Sequence, residues 1–413
     1  MKLRTELLTL GDELLIGIRE NTHLVYLGER LNTLGLPITS STVFRDTPDA
    51  ISGHFSETWE RADIILTTGG LGPTADDNTR ETIAAFLGRP LAFEPKIEAA
   101  IRERFKRMGR TMTVNNRKQC FVPEGAEYIP NSNGTAPGIW LEDAATGKLL
   151  IMLPGPRNEL IPMFEDEVVP RLEKRGLISN DGAYHLFRTI GIGESALEAE
   201  LNSVFAACEG IGVAFCAHQG IVDLRLSRGT AEAASFEKAL TACREILGDR
   251  CLTESANALS EVVVTLLKDK QKTLAVAESC TGGMIADLLT DIPGASEGLL
   301  ASIVAYSEQT KLALLGVQKQ TLEKFSAVSA ETAREMAIGI RERTGADFSL
   351  STTGYAGPGG GTASDPVGTV YIALADDAAV KTWRIQYSGQ RSAVKMRAAN
   401  HALNQLRLRL LSE

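Results

Sequence analysis

Short apolar runs alternate with helical patterns along residues 1–172, and this alternation limits the possible folds more than any other feature of the sequence. Residues 3–10 and 63–68 are typical of buried strands. Residues 48–61 have the periodicity of a helix, and Asn21 is a suitable cap for another. Strands that alternate with helices favour a parallel sheet with helices on both faces. We therefore predict a doubly wound α/β domain.

The pattern changes twice after residue 172. Residues 173–182 are charged and polar, as in a linker, and residues 188–248 show a helix, two strands that meet near residues 218–220, and a second helix. Because single cores stop growing beyond roughly 250–300 residues, 413 residues suggest two or three domains. We predict an α/β domain at residues 1–172, a small α+β linking domain at 173–255 and a second α/β domain at 256–413.

The composition excludes several classes of function. A formal net charge of −9 argues against broad electrostatic binding to nucleic acid or to anionic membranes. The sequence shows neither the apolar core of a signal peptide nor an uncharged run of the roughly 18–20 residues that cross a membrane. The six cysteines form no Cys-x-x-Cys pair, and the five histidines are scattered. We expect a cytoplasmic protein with reduced thiols, in which any metal is a hard ion held by carboxylates.

A serine lies between a predicted strand and a predicted helix in the third domain. Ser279 follows the strand at residues 273–277, and the helix opens with Thr281, Gly282 and Gly283. Ligands of open α/β sheets bind at the carboxyl ends of strands, and free N–H groups at a helix amino terminus suit an oxyanion or a phosphate. The pattern fits a nucleophilic serine, and it also fits an ordinary helix start.

A nucleophilic serine needs a group that removes its proton. The third domain has one histidine, His401, inside the last predicted helix, so a lysine is the natural candidate. Lys311 follows a predicted strand at residues 302–306. It acts as a base only if burial or neighbouring cations lower its pKa. Two alternatives stay open, because Lys311 also fits a solvated helix position and Cys280 is either a rival nucleophile or a small buried thiol.

A second glycine-rich loop follows the predicted strand at residues 348–353. Its glycines allow the backbone to approach a ligand closely. The candidate ligand-binding residues in this loop are Thr353, Gly354, Gly357, Gly359 and Gly360. The last predicted helix begins near Arg391 and carries Arg397, and either arginine is suited to clamp a phosphate.

The first domain has its own glycine-rich loop at residues 67–77, between a buried strand and a helix. The N–H groups of such a loop suit a diphosphate, and its candidate phosphate-binding residues are Gly69, Gly70, Gly72 and Thr74. Four carboxylates are candidates for binding Mg²⁺ or an attacking water, namely Asp12, Glu13, Asp76 and Asp77. The alternative for Asp76 and Asp77 is an N-cap with a solvated neighbour. A further loop contains Gly134 and Thr135, for which simple turn chemistry is the alternative.

Several ordered motifs of the third domain match a known family. Residues 278–283, residues 304–311, residues 353–361 and residues 366–370 resemble the carboxy-terminal domain of the CinA family. That family deamidates nicotinamide mononucleotide to nicotinate mononucleotide and ammonia. The resemblance implies no cofactor, and it implies site residues as follows: Ser279 as nucleophile, Tyr306 and Lys311 assisting proton transfer, and Arg391 or Arg397 near the substrate. Tyr355 departs from the small aliphatic residue usual in the family, and its bulk bears on substrate fit.

The first domain is similar to the molybdopterin-binding-like domain of CinA proteins. The similarity rests on residues 11–22, 68–77 and 134–138. It implies hydrolysis of ADP-ribose to AMP and ribose 5-phosphate with a divalent metal, for which Mg²⁺ is expected. The chain departs from the family at His23, where asparagine is usual, and at residues 156–160.

Residues 173–255 occupy the place of a KH-like linking domain in that family. A KH module that binds RNA needs a Gly-x-x-Gly loop with basic flanks, and this segment lacks one. We expect a spacer or a dimer contact that does not bind nucleic acid, and the family implies a homodimer. Two alternatives to the bifunctional hydrolase are a nucleotide-sensing adaptor of competence and DNA damage, which binds without turnover, and a molybdenum-cofactor enzyme in the first domain.

Overall fold

The computed structural model describes residues 3–178, 184–218 and 220–413, and it divides into two compact units, Met1–Ala183 and Tyr184–Glu413. Residues 179–182 of the predicted linker and Gln219 of the predicted turn lie outside the described residues. In the part of the chain that is described, no helix is long and apolar enough to cross a membrane.

The first unit is built on a six-stranded sheet of order β2-β1-β3-β8-β7-β6, with β4 and β5 as a separate pair. The strands are β1 (Thr5–Leu10), β2 (Ile38–Phe44), β3 (Ile64–Thr68), β4 (Leu91–Phe93), β5 (Phe121–Pro123), β6 (Glu127–Ile129), β7 (Gly138–Asp143) and β8 (Lys148–Leu153). The helices are α1 (Asp12–Leu15), α2 (Thr22–Thr33), α3 (Pro48–Arg61), α4 (Thr79–Phe86), α5 (Pro95–Arg107), α6 (Arg157–Met163) and α7 (Val169–Lys174).

Helices cover both faces of this sheet, as the alternation predicted. Leu27 and Leu31 of α2 belong to the core on one face, and Ile51 and Phe55 of α3 belong to the core on the other. Asn21 caps α2 by accepting a hydrogen bond from the Leu24 N–H. The doubly wound prediction is confirmed, but the sheet is mixed. Strands β2, β1, β3 and β8 are parallel, whereas β7 joins β8 through a short turn and therefore runs antiparallel.

The second unit begins with the predicted small α+β layout. Its elements are β9 (His185–Ile190), α8 (Glu194–Ala207), β10 (Gly212–His218), β11 (Ile221–Ser227), α9 (Ala233–Leu247) and β12 (Cys251–Thr253). The strands pair antiparallel in the order β10-β11-β9-β12. Leu197 of α8 and Leu240 of α9 share one core with Phe187 of β9, so both helices lie against the sheet.

The rest of the second unit is an α/β fold around a five-stranded sheet of order β14-β13-β15-β16-β17. Its elements are α10 (Leu259–Asp269), β13 (Leu274–Glu278), α11 (Met284–Thr290), β14 (Leu299–Val304), α12 (Glu308–Leu315), α13 (Lys319–Phe325), α14 (Ala330–Thr344), β15 (Phe348–Gly354), β16 (Thr369–Ala375), β17 (Val380–Gln386) and α15 (Arg391–Leu411). Strands β14, β13 and β15 are parallel, and β16 and β17 are antiparallel. The carboxyl ends of the three parallel strands therefore meet at one edge.

The small α+β part and the α/β part of this unit share packing. Ile190 and Leu252 lie in the same core as Leu406 of α15. Arg407 of α15 is 2% exposed, and its guanidinium donates to the carbonyl oxygens of Cys251 and Asp249. A buried guanidinium satisfied by main-chain carbonyls ties the two parts together.

The packing of α14 against α12 leaves no room for a side chain at Gly339 of α14. A Cβ added at Gly339 would overlap the Leu315 carbonyl oxygen at the end of α12. Because that atom is backbone and cannot swing away, we expect Gly339→Ala to lower the free energy of unfolding by roughly 3 kcal/mol. Gly53 of α3 is the control, since nothing lies within 4 Å of its added Cβ. Gly53→Ala should raise stability by about 0.5–1 kcal/mol. Urea unfolding measures the free energy of unfolding of both variants. If both substitutions change it in the same direction, the prediction is wrong.

Candidate active sites

Ser279 and Lys311 lie side by side at the carboxyl edge of β13 and β14. Lys311 Nζ donates to Ser279 Oγ at 3.0 Å and to the Ala305 carbonyl oxygen at 2.7 Å. Lys311 is 1% exposed and Ser279 is 8% exposed. Lys311 is carried by α12, which Ser307 caps by accepting from the Thr310 N–H at 3.1 Å. The fold thus brings the predicted nucleophile and the predicted base into hydrogen-bond distance across 32 positions of sequence.

The environment of Lys311 favours a neutral amine. Burial lowers the pKa of Lys311, and this effect outweighs the Cys280 thiol and the Glu308 carboxylate, which act in the opposite direction. A neutral amine has a lone pair that can accept the Ser279 proton, while an N–H of the same amine still donates to Ala305. This arrangement meets the chemical requirement of a serine–lysine dyad.

The amino terminus of α11 is less open than the sequence suggested. The buried Glu278 carboxylate accepts from the N–H groups of Gly283 at 2.9 Å, Ile285 at 3.2 Å and Ala286 at 3.0 Å. The Gly282 N–H donates to the Ser279 carbonyl oxygen at 3.1 Å. The expectation that Gly282 and Gly283 present free N–H groups is therefore wrong, because Glu278 and the turn itself use them.

Thr281 keeps one group for a ligand. Its hydroxyl is buried and pairs with the Thr352 hydroxyl at 2.7 Å, which holds the turn against β15. Among the described residues, the Thr281 N–H makes no hydrogen bond. The N–H of Cys280 likewise has no partner among the described residues, so both N–H groups are main-chain candidates for an oxyanion next to Ser279.

Arg391 joins the predicted site residues of two other segments. Its guanidinium donates to the Tyr306 hydroxyl at 2.9 Å and to the Gly357 carbonyl oxygen at 2.7 Å. Tyr306 lies just beyond β14 rather than inside it, and it is 64% exposed. Arg391, Tyr306 and Gly357 therefore meet at the open surface beside the dyad, since Ala305, which accepts from Lys311, directly precedes Tyr306.

The second glycine-rich loop divides into structural and open positions. The Thr353 hydroxyl is buried and donates to the Ala327 carbonyl oxygen at 2.7 Å, so it stabilises the fold. Gly354 is required by packing, because an added Cβ would stand 2.6 Å from the Thr369 carbonyl oxygen. Gly359 has open space around it, and the Tyr355 ring lies close to Gly360. The open part of the loop at Gly359 and Gly360 is available to a ligand, whereas the buried Thr353 hydroxyl is not.

Two further cations of α15 lie on different sides of the helix. Arg397 donates to the Ser388 carbonyl oxygen at 2.9 Å and lies beside Gly220 of the small α+β part. Lys395 lies over the nucleophile's turn, with Nζ 3.5 Å from a Cβ added at Gly282. The sequence analysis missed Lys395; its spacing of four from Arg391, which places both on one helix face, was the available signal.

A cavity of about 600 Å³ opens at the carboxyl ends of β1 and β3 in the first unit, and its lining includes Gly69, Gly70 and Gly72. Gly69 and Gly70 have φ angles of 104° and 67°, which favour glycine. An added Cβ at Gly70 would overlap the Thr79 hydroxyl. Among the described residues the N–H groups of Gly70 and Gly72 have no partner and are available to a phosphate, whereas the buried Gly69 donates its N–H to the Leu153 carbonyl oxygen at 3.0 Å.

The predicted metal carboxylates do not form a ready-made ligand set. The Asp77 carboxylate accepts from the Thr74 N–H at 2.9 Å and from the Thr74 hydroxyl, so it stabilises the loop. Asp12 lies 3.5 Å from Arg45, and its Oδ1 is buried without a partner. Within the described ranges, no three His, Cys, Asp or Glu side chains lie close enough together to hold a metal ion.

Asp46 is a carboxylate that the sequence analysis missed. It follows β2, the neighbour of β1, and it lines the same cavity. Burial raises the pKa of Asp46, and the carboxylates of Asp12, Asp76 and Glu13 raise it further. No glycine motif lies near Asp46. The sequence feature that could have identified it is its place just after the strand next to β1.

The remaining lining residues include the two departures from the family pattern. His23 Nδ1 lies 3.1 Å from the Thr68 hydroxyl, and burial lowers the pKa of His23. Arg157 and Thr135 also line the cavity. Gly134 packs closely, because an added Cβ would overlap the Glu159 carboxylate.

Comparison with known proteins decides the family. A putative competence-damage inducible protein of Thermoanaerobacter pseudethanolicus is 42% identical over 416 residues, which cover 99% of both chains. The chain belongs to the CinA family. A second such protein, from Clostridium kluyveri, is 40% identical over 99% of this chain and 100% of its own. A CinA-like protein of Dictyoglomus thermophilum is 39% identical over 99% of this chain and 100% of its own.

The family models cover three successive stretches of this CinA chain. The probable molybdopterin binding domain matches residues 6–174, the damage-inducible protein CinA KH domain matches residues 185–251, and the CinA C-terminal domain matches residues 256–410. Among solved structures, the competence/damage inducible protein CihA of Agrobacterium tumefaciens is 37% identical, covers 37% of this chain and 93% of that one, and has a TM-score of 0.36. A CinA protein of Thermoplasma acidophilum is 31% identical, covers 42% and 96%, and has a TM-score of 0.37.

Proposed function

We propose that this CinA protein is an amide hydrolase that deamidates nicotinamide mononucleotide to nicotinate mononucleotide and ammonia. The observation that carries the proposal is the 3.0 Å contact between Lys311 Nζ and Ser279 Oγ, in a site where burial lowers the pKa of Lys311. A serine beside a lysine whose pKa is lowered is suited to attack an amide carbonyl. The substrate follows from the resemblance of the third domain to the family's deamidase.

In the proposed reaction, Lys311 removes the Ser279 proton while the serine oxygen attacks the carboxamide carbon. The carbonyl electron pair moves onto oxygen, and the unpaired N–H of Cys280 or Thr281 stabilises the resulting oxyanion. The tetrahedral intermediate collapses, the C–N bond breaks, and Lys311 returns the proton to the nitrogen, which leaves as ammonia. Water that is deprotonated by Lys311 then hydrolyses the acyl-serine ester, releases the carboxylate product and restores Ser279.

The exposed Tyr306 hydroxyl has a supporting role in this scheme. It accepts a hydrogen bond from Arg391, so its own proton is free to donate to the substrate. The Arg391 guanidinium beside Tyr306 favours a substrate that carries negative charge at this edge of the sheet. Both features support a role of Tyr306 in orienting the amide and assisting proton transfer.

Ammonia release by the purified full chain tests the proposal. We expect release from nicotinamide mononucleotide at a rate well above the buffer blank, measured with a coupled glutamate dehydrogenase assay. EDTA should leave the rate unchanged, since the proposed reaction uses only water as co-reactant. A rate equal to the blank overturns the proposal.

The cavity of the first unit favours a second activity, hydrolysis of ADP-ribose to AMP and ribose 5-phosphate. The half-buried main chain of Gly70 and Gly72, whose N–H groups have no partner among the described residues, suits the diphosphate. No three carboxylates of the described residues lie close enough together to hold a cation by themselves, but Mg²⁺ needs only one or two carboxylates besides the phosphate oxygens of a substrate. One or two of the lining carboxylates Glu13, Asp46 and Asp76 would hold the ion together with the diphosphate, whose charge the ion would offset.

Asp46→Asn should lower AMP release from ADP-ribose by at least about tenfold at limiting Mg²⁺, because it removes a carboxylate from the cation's surroundings. Chromatography of AMP across a Mg²⁺ titration measures this. Asp49→Asn is the matched control, since it makes the same change of charge at an exposed residue in the first turn of α3. Full activity of Asp46→Asn at every Mg²⁺ concentration contradicts the assignment.

Binding and product assays on the same purified protein distinguish two alternatives for the first unit. Tight binding of ADP-ribose without AMP release would indicate a nucleotide-sensing adaptor. Binding of molybdopterin would indicate a molybdenum-cofactor enzyme. The homodimer stays a prediction, which sedimentation of the full chain measures, and so does the cytoplasmic location.

A further inference from the structure

Lys395 is a half-buried cation beside the turn that carries the nucleophile. Its Nζ would stand 3.5 Å from a Cβ added at Gly282, three residues after Ser279. Among the described residues, Lys395 makes neither an ion pair nor a hydrogen bond. An ammonium has three donors, and none of them has a protein acceptor here. All three are therefore available to an anionic group of a ligand at the nucleophile's turn.

Arg391 lies one helical turn before Lys395 and on the same face of α15. Two of its five N–H donors already hold Tyr306 and Gly357, so its guanidinium is fixed in place while other donors remain. The first turn of α15 contains no acidic side chain. The two cations therefore act on the same region without a carboxylate of the helix to neutralise them.

We propose that Lys395, together with Arg391, binds the phosphate monoester of the substrate and so selects the phosphorylated form of the amide. This inference rests on the proposed deamidation. A phosphate dianion accepts many hydrogen bonds at once, which matches three ammonium donors beside a guanidinium fork, whereas an oxyanion at Ser279 needs only one or two.

Arg397 is not part of this phosphate site. It lies about 200° around the helix axis from Lys395, because each residue turns the helix by about 100°. Its guanidinium donates to Ser388 and lies beside Gly220. Of the two arginines that the sequence offered as phosphate clamps, the geometry favours Arg391.

Lys395→Met, compared on a phosphorylated and an unphosphorylated amide, tests the proposal. We expect KM for nicotinamide mononucleotide to rise about 10–100-fold with kcat within about threefold, because the lost contact is made equally in the ground and transition states. For nicotinamide riboside, which lacks the phosphate, kcat/KM should fall by less than about threefold. Lys395→Arg keeps the charge and should restore most of the preference. Lys381→Met removes an exposed charge from β17 and should leave the preference unchanged.

An equal loss on both substrates would assign Lys395 to the oxyanion or to the fold and overturn the proposal, as would an unchanged preference. Calorimetry on Ser279→Ala, with and without Lys395→Met, makes the same comparison without turnover. If the wild type releases no ammonia from either amide, the proposed deamidation fails. The phosphate site then stands only if Lys395→Met selectively weakens binding of the mononucleotide.

Discussion

Ser279→Ala should lower kcat for ammonia release from nicotinamide mononucleotide by about 10⁴-fold or more, the largest effect expected in this protein. The reason is that the proposed reaction passes through an acyl-serine ester, and alanine has no oxygen to form it. Ser279 is 8% exposed, and among the described residues its Oγ has one hydrogen-bond partner, Lys311 Nζ, from which it accepts, so the substitution removes little of the packing. A coupled ammonia assay and rapid-quench mass spectrometry of the acyl-enzyme measure the loss.

Cys280→Ala is the matched control for that variant. Cys280 is the neighbouring nucleophile, but burial raises the pKa of its thiol to about 12, so it is protonated at neutral pH. We expect Cys280→Ala to retain activity within about threefold. If instead Cys280→Ala is inactive and Ser279→Ala is active, the nucleophile assignment is wrong.

Lys311→Met should lower kcat by about 10³-fold, because a general base contributes roughly 10²–10⁴-fold and this lysine serves both steps of the reaction. The side chain of methionine has a similar length and suits a site that is 1% exposed. Lys319→Met, an exposed lysine of α13, is the control for loss of charge and should behave as wild type. Thermal unfolding of both variants separates a chemical effect from a folding defect.

The pH profile of the wild type gives an independent measure of the same base. Burial lowers the pKa of Lys311 below its ordinary value, and the amine must be neutral to accept the Ser279 proton. The logarithm of kcat/KM should therefore rise with pH at a slope of one below that lowered pKa and level off above it. Lys311→Arg stays protonated and should be inactive across the range. A flat profile from pH 5.5 to 9.5 in the wild type contradicts a titrating base.

Much of the fold was accessible from the sequence because it depends on local patterns. The alternation of strands and helices predicted the first domain, and the strand β13 with its following turn placed Ser279 at a sheet edge. A helix position was one of the alternatives for Lys311, but the bounds of α12 were not predicted, because this helix has only eight residues and little amphipathic pattern. The antiparallel edge strands of both large sheets were also not foreseen, since they depend on how short turns join neighbours.

Within the candidate deamidase site, the errors concern groups whose roles depend on contacts between distant segments. Gly283 was expected to offer a free N–H, but the Glu278 carboxylate accepts it. Thr353 was expected to bind substrate, but its hydroxyl donates to Ala327. Lys395 was not considered, because nothing along the chain relates it to Gly282, 113 positions earlier.

For Ser279, the sequence by itself determined a serine at the end of a buried strand, before two glycines that open a helix, with no usable histidine as its base. Those facts follow from neighbours along the chain, whose periodicity and turn chemistry act locally. Only the tertiary structure decided that Lys311 is buried against that serine, that Arg391 reaches Tyr306, and that Glu278 takes the helix N–H groups. Desolvation and hydrogen bonding depend on which atoms surround a group in space, and in this site those atoms belong to segments far apart in sequence.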